Sequence, residues 1–232
     1  MQTNRKQLKN ARMWKYFMEA AVETIEESGI EKVTIRKIAD RAGFTSSTAY
    51  NYFKDLSHLK FFAAMRFTKS YTEELPYYLD KGENTIEKWL CAWACFCKHS
   101  FEQPKIYEVL FMDNVGGSAQ DLLDHYYSMF EEDLIGLPED VRSIVMEHSF
   151  LKRSVLFIQQ AVEEGLLKEE KIEVVSDMTL MIWKGIMSTF INERRSLTKE
   201  EAVSLTLSYV KQTLSHAVPE EEKKRINWDI EL

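Results

Sequence analysis

The chain has 232 residues, 45% of them hydrophobic, with only 8 Gly and 4 Pro and a net charge of −7, so it has room for one small domain plus a larger helical one and reads as nearly all α. No run of about 18 uncharged apolar residues suits a membrane span, and no apolar leader follows Met1-Gln2-Thr3-Asn4-Arg5-Lys6, so a cytoplasmic protein without a membrane partner is expected. The three cysteines, Cys91, Cys95 and Cys97, are an odd number close together and exclude a disulfide framework.

The first helix is predicted from about Lys6 to Ser28, with Phe17, Ala21 and Ile25 on one face, and Gly29 ends it. Thr34 can cap a second helix in which Ile35, Ile38, Ala39 and Ala42 recur at spacings of three and four. Gly43 then allows a sharp turn and lets Phe44 drop into a small core. Thr45 or Ser46 caps a third helix, where Ala49 and Phe53 face inward and Ser46, Ser47, Thr48, Tyr50, Asn51 and Tyr52 stay largely outside. Two short helices joined by a glycine turn, the second with a polar and aromatic outer face, have the layout of a helix-turn-helix DNA reader.

Within Ala20 to Lys60 the chain resembles the N-terminal domain of the TetR family of bacterial transcriptional regulators. The resemblance rests on Gly29, the run Thr34 to Ala39 with its T-x-R-x-I-A pattern, Gly43, the Tyr50 to Phe53 aromatic group and Lys54. It implies that Thr34, Tyr50, Tyr52 and Lys54 hold phosphates, and that Arg36, Thr45, Ser47, Thr48 and Asn51 lie at or near base edges. The chemistry agrees: arginine spans guanine O6 and N7, asparagine pairs with adenine, and threonine methyls pack on thymine methyls. Arg36 is therefore the guanine candidate. The third helix carries no Lys or Arg between Ser46 and Phe53, so phosphate attraction must come from Arg5, Lys6, Lys9, Arg12, Arg36, Lys37 and Lys54.

Charge is divided to match, with a balance of +6 over residues 1–70 and −13 over the remainder. Salt screens the distant acidic part within about 10 Å, so the local field decides DNA attraction.

A fourth helix is predicted from about Ser57, with Leu59, Phe62, Ala63, Met65 and Phe67 leading toward Tyr71 until Pro76 interrupts. Further helices are expected over Thr85 to Phe101, Pro104 to Met112, Ala119 to Leu134, Glu139 to Leu166, Ile172 to Glu193 and Lys199 to Ala217. Gly82, Gly116-Gly117, Gly136-Leu137-Pro138 and Gly165 separate them. The expected fold is all-α: a three-helix helix-turn-helix DNA-binding domain over 1–55, a larger C-terminal helical effector-binding and dimerisation domain over 56–217, and a charged tail over 218–232.

The larger domain is rich in Trp, Phe, Tyr and Met, most of which must be core. The family resemblance implies an apolar cavity for a small molecule that shifts the spacing of two DNA domains. A lipophilic effector among Trp89, Trp93, Phe96, Phe111, Tyr127 and Phe130 is the expectation, and a carboxylate effector would need Lys98, Arg153 or Lys184. Two operator half-sites require two readers related by a twofold axis. Trp183, Met187, Phe190, Leu207, Val210 and Leu214 of the last two helices are expected at that homodimer interface, by resemblance as a four-helix arrangement.

The resulting reading is a DNA-binding regulator, a repressor released by a small lipophilic effector. The alternative is a helical ligand-binding or metal- or redox-sensing protein that does not read DNA. Cys91, Cys95 and His99 recur at i, i+4, i+8, but two helical turns span about 12 Å, too far for one ion, so no metal or other cofactor is expected. Neither Glu131-Glu132 nor Glu163-Glu164 suggests an enzyme, because adjacent carboxylates on a helix point about 100° apart.

Overall fold

The computed structural model describes residues 2–115, 118–135 and 137–229, and the side chains of residues 2–9, 11 and 140 lie outside that description. Among the described residues there are thirteen α-helices, three short 3-10 turns and no strand. The helices are α1 Gln2–Ser28, α2 Ile35–Arg41, α3 Ser46–Ala49, α4 Leu56–Arg66, α5 Lys69–Leu79, α6 Thr85–Glu102 and α7 Pro104–Phe111. They continue as α8 Ala119–Met129, α9 Glu139–Val145, α10 Phe150–Ile158, α11 Gln160–Glu163, α12 Glu169–Ile191 and α13 Lys199–Ala217.

They form two compact units, Met1–Lys69 with Lys105–Asp133, and Ser70–Pro104 with Leu134–Leu232. These units differ from the sequence limits 1–55, 56–217 and 218–232. Helix α4 packs on α1 and α8 packs on α4, which draws residues 56–69 and 105–133 into the first unit.

In the first unit, α1 lies against α2 and α4, and α2 against α3. Phe17 and Ala21 of α1, Ile38 and Ala39 of α2, Ala49, Phe53, Leu59 and Phe62 are all fully buried. Each such Phe or Ile contributes about 1.5–3 kcal/mol through removal from water. Trp14 lies 4.4 Å from Phe53 and 4.6 Å from Phe62 between ring centroids, so the aromatic cluster fixes α3 and α4 on one flank of α1.

In the second unit α13 packs against α12 and α6, and α10 against α12 and α6. Trp183 of α12 is fully buried, with its indole N–H donating to Ser100 at 3.1 Å and its ring 5.0 Å from Phe96. Thr198 and Glu201 form a reciprocal capping box that starts α13. Gly82 is required by close approach, since a Cβ there would sit 2.5 Å from the Lys88 nitrogen.

Several expected elements are altered. Pro76 lies inside α5 and does not end it, because the chain gives up one helical N–H donor and still continues to Leu79. The helix expected from 119 to 134 ends at Met129, where Phe130 leaves helical conformation, and resumes as a 3-10 turn over Glu131–Leu134. The helix expected from 139 to 166 is three: Ser149 caps α10 by accepting from the Lys152 N–H, and the Arg153 guanidinium donates to the Val145 and Glu147 carbonyls left open at the end of α9. Gly116-Gly117 and Gly136 lie outside the described residues.

The charged tail is docked rather than solvated. Val218 and Ile226 are buried, the Asn227 N–H donates to the Glu87 carboxylate at 2.7 Å, and the Trp228 indole donates to the Lys223 carbonyl at 3.0 Å. Glu87 is itself buried and also receives the Glu83 N–H, so one carboxylate serves both the start of α6 and the C-terminal segment. Helix α12 is, by length and composition alone, apolar enough to cross a membrane. Its Ile172, Val175, Trp183 and Met187 are buried within the second unit.

Candidate nucleic-acid interface and effector cavity

The two short helices of the first unit start on threonine caps. The Thr34 hydroxyl accepts from the Lys37 N–H at 3.2 Å, and the Thr45 hydroxyl accepts from the Thr48 N–H at 3.3 Å. Between them Gly43 takes φ +78°, a left-handed conformation that any side chain would strain, and the Phe44 N–H returns to the Ala39 carbonyl at 2.8 Å. The turn is thereby fixed by local chemistry.

That turn leaves Thr34, Arg36, Thr45, Ser47, Tyr50, Asn51 and Lys54 exposed, with Tyr50 at 57%. Ser46, Thr48 and Tyr52 are half-buried. The Thr48 hydroxyl is 3.1 Å from that of Thr45, and the Tyr52 ring packs 5.8 Å from Phe17. All ten residues expected at DNA therefore lie on or beside α2, α3 and the turn after them, and Thr45, Thr48 and Tyr52 also have structural tasks. The Arg36 side chain is 86% exposed and lies 3.8 Å from Asp40 one helical turn on. Of the expected phosphate-attracting residues, Arg12, Lys37 and Lys54 are exposed, and the side chains of Arg5, Lys6 and Lys9 lie outside the described residues.

Two further residues hold this surface in position and were not singled out from sequence. Arg41, in the last turn of α2, donates to Glu27 of α1, and that hydrogen bond holds the Glu27 carboxyl below its ordinary range. His58 accepts the Lys54 N–H on Nδ1 at 3.0 Å, while its own N–H donates to the Asp55 carboxylate that caps α4 at 2.9 Å. Burial pushes the His58 pKa below its ordinary value, against the attraction of Asp55, with His125 and Lys54 acting in the same direction as burial. A signal existed for each: a basic residue closing a short helix, and an Asp three residues before a His at a helix start.

In the second unit a cavity of about 50 Å³ opens among Trp89, Trp93, Phe96, Phe150, Arg153 and Phe157. Three of the six residues expected around an effector are gathered there. The other three are not: Phe111, Tyr127 and Phe130 belong to the first unit, where Tyr127 and Phe130 are buried and Phe130 lies under the Arg66 guanidinium at 4.7 Å. Helical periodicity identifies an apolar face but not which neighbour covers it. Among the three cations considered for a charged effector, Arg153 lines the cavity, Lys98 is paired with Glu74 at 2.6 Å and Lys184 is half-buried on α12. The Trp89 indole donates to Ser154, at 3.3 Å, and Ser154 donates to Ser176, so the polar groups at the cavity floor are already matched.

The residues expected between subunits require a similar correction. Trp183, Met187, Val210 and Leu214 are fully buried in their own chain and unavailable to a partner, and Phe190 and Leu207 are half-buried. The exposed apolar stripe of α12 lies on its other side, at Val174, Met178 and Met181, with Tyr209 exposed on α13. Two long apolar helices were legible, but the 100° step per residue gives them both an inner and an outer apolar face.

Residues 17–59 match the family model of bacterial regulatory proteins, tetR family. Solved structures with a similar fold include RolR in complex with resorcinol, at a TM-score of 0.61 and 16% identity, covering 94% of this chain and 94% of that one. A TetR-family regulator structure from Syntrophomonas wolfei aligns at 0.57 and 18% identity over 89% of this chain and 96% of that one. FadR of Thermus thermophilus, in complex with lauroyl-CoA, aligns at 0.56 and 14% identity over 88% of this chain and 94% of that one. At these identities the likeness is one of fold. No curated protein sequence matches significantly.

Proposed function

The N-terminal domain of the chain belongs to the TetR family of bacterial regulatory proteins, and from that premise we propose that the protein is a repressor that binds an inverted-repeat operator as a homodimer and is released by a small lipophilic effector. The observation that carries this reading is the exposed set Arg36, Tyr50, Asn51 and Lys54 around a turn fixed by Gly43 and two threonine caps. These side chains are exposed, and guanidinium, amide, phenol and ammonium groups suit base edges and phosphates.

Thr34, Tyr50, Tyr52 and Lys54 are the phosphate contacts in this reading, Arg36, Thr45, Ser47, Thr48 and Asn51 lie at or near the base edges, and Ser46 belongs to the same DNA-facing surface. The +6 balance of residues 1–70 supplies the local attraction. The effector enters the cavity at Trp89, Trp93 and Phe96. About 50 Å³ holds only a few water molecules, so binding has to open the site, and half-buried Phe150 and Phe157 are the side chains able to move. A ligand that fits only the opened form shifts the population and changes operator affinity by the same coupling free energy. Release by small molecules fits the company of folds crystallised with resorcinol and with lauroyl-CoA. Dimerisation uses the outer stripe Val174, Met178 and Met181.

Selection of bound duplexes from a random library at about 0.15 M salt tests the reading. An enriched inverted repeat is expected, and salt-sensitive binding with no enriched sequence, both before and after a lipophilic ligand screen, would overturn it. On the selected operator, Lys54→Ala and Tyr50→Ala each weaken binding without unfolding the protein, and Lys54→Ala lowers the salt slope by about one. Arg36→Ala relaxes preference at one base pair at a cost of about 1–3 kcal/mol, read by competition with single-base operator variants.

A further inference from the structure

Cys95 and His99 are one helical turn apart on α6 and share a face, with Cys95 buried and the His99 side chain 13% exposed. Helix α5 sets Glu74 opposite them. One donor atom from each residue, the Cys95 sulfur, a His99 ring nitrogen and a Glu74 carboxylate oxygen, lies within 4.8 Å of the other two. Cys91 and His99 are separated by two turns, so one helix cannot supply three ligands, but the fold supplies the third from a neighbouring helix.

We propose that Glu74, Cys95 and His99 form a three-ligand site for a single Zn²⁺ ion, with water in the fourth position. The donor set is one thiolate, one imidazole and one carboxylate, all of which Zn²⁺ accepts, at bond lengths of about 2.0–2.3 Å. Tetrahedral angles at those lengths put ligand atoms roughly 3.3–3.7 Å apart. His99 Nε2 and Glu74 Oε2, now 2.7 Å apart, have to separate slightly, and the other pairs, none wider than 4.8 Å, have to close by no more than about 1 Å.

The surroundings suit the ion at His99 and oppose it at Lys98 and at the buried Cys95 thiol. His99 Nδ1 is 3.4 Å from the Ser70 hydroxyl, so the ring nitrogen left over when Nε2 binds metal has a partner that fixes the tautomer and the ring plane. Lys98 stands at 2.6 and 2.8 Å from the two Glu74 oxygens and repels a second cation. The carboxylate can serve both, with Oε1 on Lys98 and Oε2 on the metal, and the thiolate formed at Cys95 offsets the added charge. Binding is a ligand exchange without redox change: the Cys95 S–H, 3.9 Å from the Tyr71 carbonyl, loses its proton to solvent as the Zn–S bond forms and metal-bound waters leave.

The site goes beyond the operator reading and stands or falls separately from it. The 232-residue chain is titrated with Zn²⁺ against a chromophoric chelator, and with Co²⁺ while the thiolate-to-cobalt charge-transfer band and the tetrahedral d–d bands are recorded. One Zn²⁺ per chain and a charge-transfer band that disappears in Cys95→Ser are expected. Glu74→Gln and His99→Gln each weaken Zn²⁺ binding by at least about tenfold. Cys91→Ser, buried on the same helix but outside the cluster, leaves binding unchanged. Glu74 is partly exposed and its Gln variant nearly isosteric, so it reports on binding even if Cys95→Ser does not fold. Failure to compete with the chelator, a band that survives Cys95→Ser, or equal loss in Cys91→Ser would overturn the assignment.

Discussion

His58 joins the end of the reading surface to α4, and it does so only as a neutral ring. Its Nδ1 accepts the Lys54 N–H, which an imidazolium cannot do. With its pKa held below the ordinary value, mainly by burial, the folded protein binds fewer protons here than the unfolded chain does. The contribution to stability is therefore complete above the unfolded value of about 6.5 and is lost as pH falls below it. Burial lowers the pKa of His125 as well, and its ring lies 5.3 Å from Phe62, which the His58 ring also approaches, at 5.0 Å. The thermal midpoint should fall between about pH 7.5 and pH 5.5, and the fall should be smaller in His58→Gln, whose amide can still accept from Lys54 without titrating. An unchanged pH profile in that variant would remove His58 from the account.

Between elements, α4 is tied to the end of α8 by one polar cluster. Arg66 donates to Asp133 at 2.7 Å and to the Tyr126 hydroxyl at 3.3 Å, and Tyr126 donates to the same Asp133 oxygen. Asp133 and Tyr126 are buried, and the Arg66 side chain is 27% exposed. The break at Phe130 makes this possible, because a helix continued to Leu134 would have carried Asp133 onward along the axis of α8. Removing one partner strands the other charge in low dielectric. Asp133→Ala should cost about 2–4 kcal/mol in urea unfolding, and Tyr126→Phe about 1 kcal/mol, since the latter leaves the ion pair in place. Near-equal losses would mean that the ion pair adds little to the hydroxyl bond.

For the whole molecule, the operator reading demands two readers, and the exposed outer stripe of α12 is the surface proposed to join them. Val174, Met178 and Met181 are each about half exposed, whereas Trp183 and Met187 are fully enclosed. A carboxylate at Met178 or Met181 faces its symmetry mate or other apolar groups across a twofold interface and is met twice per dimer. Met178→Asp or Met181→Asp should raise the dimer dissociation constant on the order of 100-fold in sedimentation while leaving the far-ultraviolet spectrum unchanged. A dimer of undiminished stability would exclude the stripe.

The reading unit was legible in sequence because its signals are local. A threonine before each helix, a glycine where φ must be positive and apolar residues at spacings of three and four act within a few residues of one another. The range expected for α13, Lys199 to Ala217, is that of the helix itself, whose start Thr198 and Glu201 cap within one turn. What only the tertiary structure decided is which side of each long helix is covered and by what. That choice separated Phe111, Tyr127 and Phe130 from the cavity at Trp89, turned Trp183 and Met187 inward, docked the charged C-terminal segment on Glu87, and brought Glu74 to Cys95 and His99. Sequence spacing specifies a direction around one helix axis, and the partner in that direction comes from packing of elements distant in the chain.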